Sequence, residues 1–488
     1  MTYLIAIDQS TSGTKALLVD GRGRILDSES MPHAQSYPQP GWVEHDPLEI
    51  YRNVNETAAR LLARTGLDTK DIAGMSLTNQ RETVVVWDPA TGLPVYPAIV
   101  WQCRRTAGRC DELKKAGFEA MVFEKTGLLL DAYFSASKIQ WILEQVPPAG
   151  QLLAGTMDSW LIWKLTNGQS HATDFTNASR TSLFNIQTLE WDPELLDLFQ
   201  VPGSMLPEVK SSDELFGRVA DEASPLKGLE ISGVIGDSQA ALFGQKCFEP
   251  GMAKATYGTG TSVMMQTGGM VQGQNGLVTS VAWGLGGKVA YALEAIIHST
   301  GDTINWLKDQ LQLIESVGEL EPLALSLKEN EGVYLVPAFV GLGAPYWASH
   351  ARAAIIGMNR NSGKAHVARA ALESIAYQVR DAVDLIESES GTSIMELRVD
   401  GGATVNGFLM QFQADMLGST VRVSHLRELS ALGSAYLAGL AFKVWESLEE
   451  IQQLNPEATL YVSAEDHNWR SEHHKRWKQA VSCVIISK

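Results

Sequence analysis

The sequence predicts an α/β protein built from two similar halves. Apolar runs of strand length alternate along the chain with amphipathic helical patterns. Near the start, YLIAIDQSTSGTKALLVD gives an apolar strand, a turn rich in Ser, Thr and Gly, and a second apolar strand. About 250 residues later MAKATYGTGTSVMMQTGG repeats that pattern. Two such hairpins, so far apart, favour two related halves that face each other.

Length and composition support this organisation. The chain has 488 residues, which is more than one hydrophobic core usually serves, so two or more domains are expected. With 45% hydrophobic and 19% charged residues, the composition is that of an ordinary globular protein.

Net charge and cysteine usage narrow the class of partner. The formal charge of -17 argues against nucleic acid, whose phosphates need clustered Lys and Arg, but leaves room for a small phosphorylated ligand. No stretch approaches the ~20 apolar residues of a membrane span, and MTYLIAID does not resemble a signal peptide. The four cysteines show neither a CxxC pair nor metal-ligand spacing. We therefore expect a cytoplasmic protein without a membrane or nucleic-acid partner. We also expect a homodimer, for the sole reason that dimers are common among soluble enzymes.

The N-terminal half continues with a clear helix signal after the first hairpin. Asp46 is a capping residue, Pro47 suits the first helical position and Glu49 lies three residues after the cap. Next, DIAGMSLTNQRETVVVWDPATG predicts two strands around a polar junction, closed by a turn. Two further helices are indicated by YFSASKIQWILEQV and MDSWLIWKLTNG. The helix after Asp46 has one apolar face, formed by Ile50, Val54, Ala58 and Leu61.

Three turns are candidates for phosphate binding. The two hairpin turns offer backbone amides and hydroxyls, although Gly, Ser and Thr are also what an ordinary turn requires. A third candidate, LRVDGGATVNGFLMQF, is a strand that leads through a glycine pair into a helix, whose N-terminus suits an anion. The chain contains neither GxxxxGK[ST] nor a complete GxGxxG after a strand. An ATP site would therefore belong to another architecture.

The stretch SGVIGDSQAALFGQ, residues 232–245, allows three interpretations. Asp237 could be a helix N-cap that accepts hydrogen bonds from the first amides. Ser238 could be a hydrolase nucleophile, but the elbow pattern GxSxG is broken at Ala240 and no oxyanion segment of the HGGG type occurs. Asp237 could also be a functional carboxylate at the carboxyl end of a strand.

Nine segments in a fixed order resemble the FGGY carbohydrate kinases, and within that family the glycerol kinases most of all. They are IDQSTSGTK, NQRET, WQCRRT, YFSASK, DFTNASRTSLFNI, GDSQAALFGQ, YGTGT, FVGLGAPYW and DGGATVNGFLMQF. The resemblance implies a two-domain, actin-like ATPase fold related to ribonuclease H, with ATP and sugar in the cleft. It also implies an N-terminal domain over 1–248 that holds the sugar and the catalytic base, and a nucleotide-binding C-terminal domain over 249–488. The implied reaction is transfer of the γ-phosphoryl group of ATP to a hydroxyl of a small polyol or sugar.

Matching of motifs assigns roles to individual residues. The resemblance implies that Asp237 is the general base and that Asp8 and Asp237 are the carboxylates near Mg²⁺. A hydroxyl is too weak an acid to ionise at neutral pH, so a carboxylate must take its proton as the bond to phosphorus forms. The implied phosphate and nucleotide contacts are Thr11, Ser12, Lys15, Gly258, Thr259, Gly301, Gly402 and Asn406. The implied polyol pocket contains Arg81, Glu82, Trp101, Tyr133, Asp237, Ser238 and Ser262.

The pocket residues also have simpler explanations. Arg81 and Glu82 could form an exposed ion pair, which contributes little, although a guanidinium beside a carboxylate suits vicinal hydroxyls. Trp101 could belong to the core, where aromatic side chains are common, although a flat ring also suits the C–H face of a polyol.

Two positions depart from the glycerol kinase pattern. Where those enzymes typically carry Gln after the catalytic aspartate, this chain has Ser238, and where they carry Phe after the second turn it has Ser262. Both differences remove volume from the acceptor pocket, and an unfilled cavity loses packing contacts with glycerol. We therefore expect either glycerol or a C4–C5 polyol or ketose such as erythritol or xylulose. A sensor that binds sugar and ATP without catalysis is the alternative of another class.

Overall fold

The computed structural model describes residues 2–146, 150–348, 350–426, 428–454 and 457–485. In the described residues the two largest β-sheets are mixed sheets with helices packed on them, and a five-stranded sheet and three two-stranded sheets accompany them. This confirms the predicted α/β class. A six-stranded sheet belongs to the N-terminal half of the chain and a seven-stranded sheet to the C-terminal half. Short 3-10 helices add single turns at Thr69–Asp71, Gly203–Met205, Val317–Glu319 and Gly402–Val405.

The strands and helices of the N-terminal half end with the helix that begins at Asp237. Its strands are β1 (Tyr3–Gln9), β2 (Gly13–Asp20), β3 (Ile25–Pro32), β4 (Glu44–His45), β5 (Ile72–Asn79), β6 (Val84–Asp88), β7 (Leu93–Pro94), β8 (Ala98–Ile99), β9 (Leu153–Thr156), β10 (Ala172–Asp174), β11 (Phe184–Asn185), β12 (Glu190–Trp191), β13 (Glu208–Lys210), β14 (Gly217–Arg218) and β15 (Glu230–Gly236). Its helices are α1 (Pro47–Thr65), α2 (Ala107–Lys115), α3 (Glu119–Thr126), α4 (Ser135–Gln145), α5 (Met157–Leu165), α6 (Phe175–Ala178), α7 (Pro193–Phe199) and α8 (Asp237–Gly244).

The C-terminal half begins with the second of the two related hairpins. Its strands are β16 (Ala253–Tyr257), β17 (Thr261–Gly268), β18 (Val278–Leu285), β19 (Lys288–Ile297), β20 (Tyr334–Val336), β21 (Ala354–Ile356), β22 (Glu396–Gly401), β23 (Thr420–Ser424) and β24 (Ala458–Tyr461). Its helices are α9 (Gly301–Asp309), α10 (Leu320–Leu325), α11 (Lys364–Ser390), α12 (Gly407–Leu417), α13 (Leu429–Ala441), α14 (Leu448–Gln452) and α15 (His467–Ile485).

The local signals of the N-terminal half are confirmed by α1. The Asp46 side chain accepts a hydrogen bond from the amide of Leu48, and Pro47 occupies the first turn. The predicted apolar face is buried against the sheet, because Ile50, Val54, Ala58 and Leu61 are all inaccessible to solvent. The helix ends at Gly66, whose φ of 69° is the left-handed conformation that glycine adopts without strain.

The two hairpins have equivalent places in the two sheets. In the first sheet β1 pairs antiparallel with β2 and parallel with β5. In the second sheet β16 pairs antiparallel with β17 and parallel with β22. The repeat seen in the sequence therefore is a repeat of topology, as two related halves require.

The helix α13 crosses from the C-terminal half of the chain to the N-terminal sheet. Its side chains share one core with β1 and β2, where Leu432 and Tyr436 join Leu4 and Leu17. Beyond the helix, the Trp445 indole donates a hydrogen bond to the Gly21 carbonyl at 2.9 Å. The two halves are therefore joined by shared packing as well as by the continuous chain.

The C-terminal helix α15 packs on the second sheet. Trp477, Ala480, Val481 and Val484 are buried in the core of the second sheet. Among the described helices there is none whose length and apolar character would let it cross a membrane.

Candidate functional site

The carboxyl ends of three adjacent strands create the floor of the cleft in the N-terminal half. In the sheet, Gln9 at the end of β1 lies beside Asn79 at the end of β5, and Asn79 lies beside Gly236 at the end of β15. The residues that follow these strands therefore converge at one edge, as in other open α/β sheets. They are the first turn, the Arg81–Glu82 junction and Asp237.

Asp237 is the first residue of α8, and Gly236 occupies the N-cap position. The interpretation of Asp237 as the helix cap is therefore wrong, because Gly236 holds the cap position and the Asp237 Oδ1 accepts a hydrogen bond from the adjacent Ser238 amide, at 2.7 Å. The side chain is 37% exposed, and Oδ1 lies 3.4 Å from the Arg81 Nε atom. Burial of the carboxyl group raises the pKa of Asp237, and the positive charge of Arg81 opposes that rise.

Arg81 and Glu82 belong to a buried ionic cluster, so the exposed ion pair considered from the sequence is wrong. Arg81 donates to both carboxylate oxygens of Glu294, at 3.0 and 3.2 Å, and its exposed fraction is 5%. Arg180 donates to Glu82 at 2.5 Å and to Glu294 at 2.9 Å. Although burial opposes it, the charges of Arg81 and Arg180 hold the pKa of Glu294 well below its usual range.

The backbone at Glu82 is held in the left-handed region, with φ of 62°. This conformation raises the free energy of a non-glycine residue, and residues strained in this way are concentrated at functional sites. The conformation accompanies the sharp junction between β5 and β6 that turns both Arg81 and Glu82 into the cluster.

Two aromatic rings line one side of the cleft. Trp101 and Tyr133 are half-buried, with ring centroids 5.3 Å apart. The Trp101 indole donates a hydrogen bond to the Thr11 hydroxyl at 2.9 Å, which ties the ring to the first turn. Trp101 is therefore not a fully buried core residue. Burial and the charge of Glu82 raise the pKa of Tyr133, so its hydroxyl stays protonated.

Ser262 and Ser238 lie in the same region from opposite halves. Both are half-buried, Ser238 on the first turn of α8 and Ser262 on β17. The Ser262 hydroxyl donates to Glu294 Oε1 at 2.8 Å and lies 3.5 Å from the Lys254 ammonium. Burial lowers the pKa of Lys254. The pocket wall at Ser262 is consequently polar.

The first turn joins β1 to β2 and contains Thr11 and Ser12. Asp8, near the end of β1, has an exposed fraction of 9%, and burial together with the Asp237 charge raises its pKa to about 7. Lys15 lies directly opposite Asp8 on β2. Its ammonium is bound by the Glu428 carboxylate at 2.8 Å, so in this structure Lys15 contacts a carboxylate at the start of α13.

The second turn contains Gly258 and Thr259, and it packs directly on the start of α9. The Gly301 amide donates to the Gly258 carbonyl at 3.0 Å, and the Asp302 amide donates to the Thr259 carbonyl at 3.2 Å. A Cβ atom on Gly301 would lie 2.4 Å from the Gly258 carbonyl oxygen, so only glycine allows this approach. Gly258 and Thr259 are exposed to the cleft.

Gly402 and Asn406 lie beside the second turn. Because β22 pairs parallel with β16, Gly401 is the neighbour of Tyr257, and Gly402 follows at the same sheet edge. Asn406 caps α12 by accepting the Leu409 amide at 2.8 Å. The nucleotide contacts predicted in three separate motifs thus form one group.

Sequence reasoning missed three charged residues of this site: Arg180, Glu294 and Lys254. Glu294 lies in the apolar part of KVAYALEAII, six residues after the exposed Lys288 that begins the strand, and Lys254 is the one charge of AKATY. A lone charge in a buried strand must be paired, and this would have indicated a polar site. Arg180 follows α6 with no periodic pattern that marks it.

Two facing sheets with equivalent turns at their edges and a carboxylate between them define a two-domain phosphotransferase of the actin-like ATPase fold. Residues 3–244 match the N-terminal domain of the FGGY family of carbohydrate kinases, and residues 253–442 match its C-terminal domain. The chain therefore belongs to the FGGY family and is an ATP-dependent carbohydrate kinase with an alcohol group as acceptor.

Individual relatives agree with the family assignment. The chain is 50% identical over 490 residues to a glycerol kinase of Desulfitobacterium hafniense, and the match covers 99% of each chain. It is 48% identical to a glycerol kinase of Alkaliphilus metalliredigens, over 99% of this chain and 98% of that one. Among solved structures, Plasmodium falciparum glycerol kinase with ADP superposes with a TM-score of 0.95 at 37% identity, covering 100% of this chain and 99% of the other. A xylulose kinase of Lactobacillus acidophilus, at 21% identity and a TM-score of 0.89, covers 99% and 98% and shows the same fold.

Proposed function

We propose that this kinase phosphorylates a hydroxyl of a polyol or ketose with four or five carbons, with Asp237 as the general base. The observation that carries the substrate size is the polar, low-volume wall at Ser262 and Ser238. The Ser262 hydroxyl lies beside Glu294 and Lys254. A substrate with one more hydroxyl than glycerol could form a hydrogen bond with it.

Asp237 suits the role of base by its position and its partners. Its carboxylate is part exposed to the cleft, while Arg81 and the Ser238 amide fix Oδ1. The other oxygen, Oδ2, is the one we assign to the acceptor hydroxyl, whose proton it takes as the oxygen attacks phosphorus. Domain closure would exclude water, which otherwise competes as acceptor.

The acceptor pocket would hold the substrate from three sides. Arg81 and Glu82 offer a guanidinium and a carboxylate at the floor, and the Trp101 and Tyr133 rings offer flat faces to the carbon chain. Arg180 is wholly buried, and its Nη2 atom has no hydrogen-bond partner among the described residues. A buried donor of this kind suits a substrate hydroxyl.

The two turns would bind the phosphates of ATP. The first offers Thr11 and Ser12, and the second offers Gly258 and Thr259 with Gly301 behind it. When ATP binds, the Lys15 ammonium would leave the Glu428 carboxylate and bind a phosphate oxygen instead. Gly402 and Asn406 would contact the nucleotide next to the second turn.

The carboxylates present fit a magnesium ion that arrives with ATP. Asp8 is nearly buried and lies within charge range of Asp237, and burial raises the pKa of each carboxylate. Carboxylate oxygens are the ligands that Mg²⁺ prefers, and one or two suffice when phosphates supply others. Asp8 and Asp237 would hold the ion, which when bound neutralises charge on the transferred phosphoryl group. No group of three or more candidate ligands occurs among the described residues, in keeping with a nucleotide-borne ion.

Glycerol is the second candidate acceptor, and a specific observation favours it. The chain is about half identical to enzymes named glycerol kinases over nearly full length.

We also place the protein in the cytoplasm, where ATP is available. Three buried cysteines that form no disulfide are in keeping with this location.

The test is ADP release with MgATP and a panel of glycerol, erythritol, the pentitols, xylulose, ribulose and gluconate. We expect the highest kcat/KM for a C4 or C5 acceptor. The double variant Ser238→Gln with Ser262→Phe should shift preference towards glycerol, since it restores the volume that those enzymes typically carry. Glycerol as the best acceptor of the unmodified enzyme would refute the size argument, and ATP binding without turnover of any acceptor would favour a sensor.

A further inference from the structure

The row of side chains along β19 continues beyond the ionic cluster towards the mouth of the cleft. Ser262 on β17 lies directly opposite Ile296 on β19, and it bonds to Glu294 two residues earlier. Alternate residues of a strand share a face, so Glu294 and Ile296 both face the side of the sheet that carries Ser262. Ile296 is half-buried, and His298 follows two positions later, just after the strand ends.

His298 packs on the second turn through its backbone and on Trp347 through its ring. A Cβ atom on Gly260 would be 2.9 Å from the His298 carbonyl oxygen, which places the residue against the second turn. The charges of Asp131 and Arg104 act on its imidazole in opposite directions, so the ring is within electrostatic reach of the N-terminal half. Asp131 itself accepts the Tyr133 amide at 2.8 Å. The ring itself packs edge-on against Trp347 of the C-terminal half, with centroids 6.1 Å apart, and the segment that carries Tyr133 is within reach of its charge interactions.

One atom of His298 lacks a partner. Its Nδ1 is buried from solvent and makes no hydrogen bond to any part of the chain that the structure describes. Burial lowers the pKa of His298, so the imidazole is neutral and offers one donor and one acceptor, as a hydroxyl does. Leaving a buried polar atom unpaired costs stability, and at a cleft such an atom indicates a ligand contact.

We propose that His298 binds a hydroxyl of the acceptor that is remote from the phosphorylated one and thereby selects a longer chain over glycerol. The inference rests on the proposed function, in which the acceptor pocket is extended beyond the size of glycerol. Ser262, held by Glu294, would meet the middle of the acceptor, and His298 its distal end, since Glu294, Ser262 and His298 lie in that order along the sheet.

The experiment compares kcat/KM for glycerol with that for erythritol and for the pentitols in the unmodified enzyme and in His298→Ala. We expect His298→Ala to lose about 10-fold or more with the longer acceptor, mainly through KM, and less than about 3-fold with glycerol. His298→Asn places an amide near the Nδ1 position and should retain more of the preference than His298→Gln. His425→Ala, a substitution at an exposed histidine, is the matched control and should change neither ratio.

The outcomes separate this inference from the proposed function. A preference of the unmodified enzyme for glycerol refutes the proposed function, whereas the ratio of the two acceptors in His298→Ala relative to the unmodified enzyme tests His298 alone. An equal loss with both acceptors, a changed KM for ATP alone, or an unchanged ratio would each overturn the role of His298. If no acceptor longer than glycerol is phosphorylated, both proposals fail.

Discussion

At the scale of single residues, the site depends on one carboxylate that serves two arginines. Glu294 accepts hydrogen bonds from Arg81 and Arg180 and from the Ser262 hydroxyl, and no part of it is exposed. Buried charges of this kind need their full set of partners, because desolvation otherwise exceeds the attraction. The cluster fixes Arg81, and Arg81 in turn fixes the Asp237 carboxylate.

The role of Asp237 predicts a large loss on removal of its charge alone. Asp237→Asn preserves shape but accepts no proton, so kcat should fall by about 100- to 10,000-fold. ATP should still raise the melting temperature, because the nucleotide turns are untouched. Asp309→Asn, at an exposed carboxylate near the end of α9, is the control and should keep full activity. Retention of a tenth or more of the activity in a coupled ADP assay would exclude Asp237 as base.

Asp158 predicts a pH dependence of stability. Its side chain is buried, with hydrogen bonds from the Thr156 and Thr173 hydroxyls at 2.6 Å each, and burial raises its pKa to about 7. Between about pH 4 and 7 the folded protein keeps a proton that the unfolded chain releases, so this group's contribution is lost as pH rises, by about 1.4 kcal/mol per unit. Asp158→Asn has no such proton. Its free energy of unfolding relative to the parent should therefore rise from pH 5 to pH 7 in urea titrations, and a constant difference would contradict the raised pKa.

At the scale of elements, α8 and α13 make their contact through glycine. A Cβ atom on Gly433 would lie 1.9 Å from the Ala240 carbonyl oxygen, and one on Gly244 would lie 2.1 Å from the Leu429 carbonyl oxygen. The backbones of the two helices thus touch directly. Because Asp237 begins α8, this contact also sets the height of the carboxylate in the cleft.

The helix contact predicts opposite results for two glycine substitutions. Gly433→Ala should destabilise the protein by about 1–3 kcal/mol or more, since the opposing backbone must move. Gly108→Ala, within α2, meets no atom within 4 Å and should be neutral or stabilising by about 0.5–1 kcal/mol, because alanine favours helix. Denaturant midpoints measure both. Equal effects of the two substitutions would rule out a close α8–α13 contact.

The elements that the sequence predicts well are those with local signals. The cap, proline and apolar face of α1 and the two hairpins are confirmed because each is encoded within about 20 residues. The place of α13 carries no such signal. Most of its residues are buried, so its sequence pattern lacks the polar face that would orient the helix. Its packing on the N-terminal sheet depends on contacts between residues far apart in the sequence.

The site divides in the same way. Asp8, Asp237, Arg81 and Glu82 lie at strand ends or junctions, where sequence reasoning looks for function, and the structure brings them to one cleft. Glu294 comes from the other half of the chain, 213 positions from Arg81. Neither spacing nor periodicity connects residues so far apart, so their ion pair became visible only in the fold.

At the scale of the whole molecule, three features join the halves around the cleft. The ionic cluster joins their sheets at the floor, since Glu294 lies on β19 and both arginines belong to the N-terminal half. Helix α13 crosses from one half to pack on the other. Beside the first turn, Lys15 and Glu428 form a partly exposed ion pair. Breaking this pair costs less free energy than breaking the buried cluster, because water can solvate both charges.

The difference between floor and mouth gives a test of how the halves are held together. Glu294→Gln keeps the shape of the side chain but leaves two buried guanidinium groups without their shared charge, so the free energy of unfolding should fall by about 3–5 kcal/mol. Glu428→Gln removes the same charge from a pair whose side chains are 40% and 27% exposed, and should cost less than about 1 kcal/mol. Urea titrations followed by far-UV circular dichroism compare the two variants directly. If Glu294→Gln were no more damaging than Glu428→Gln, the buried cluster would not be what fixes the two sheets at the base of the cleft.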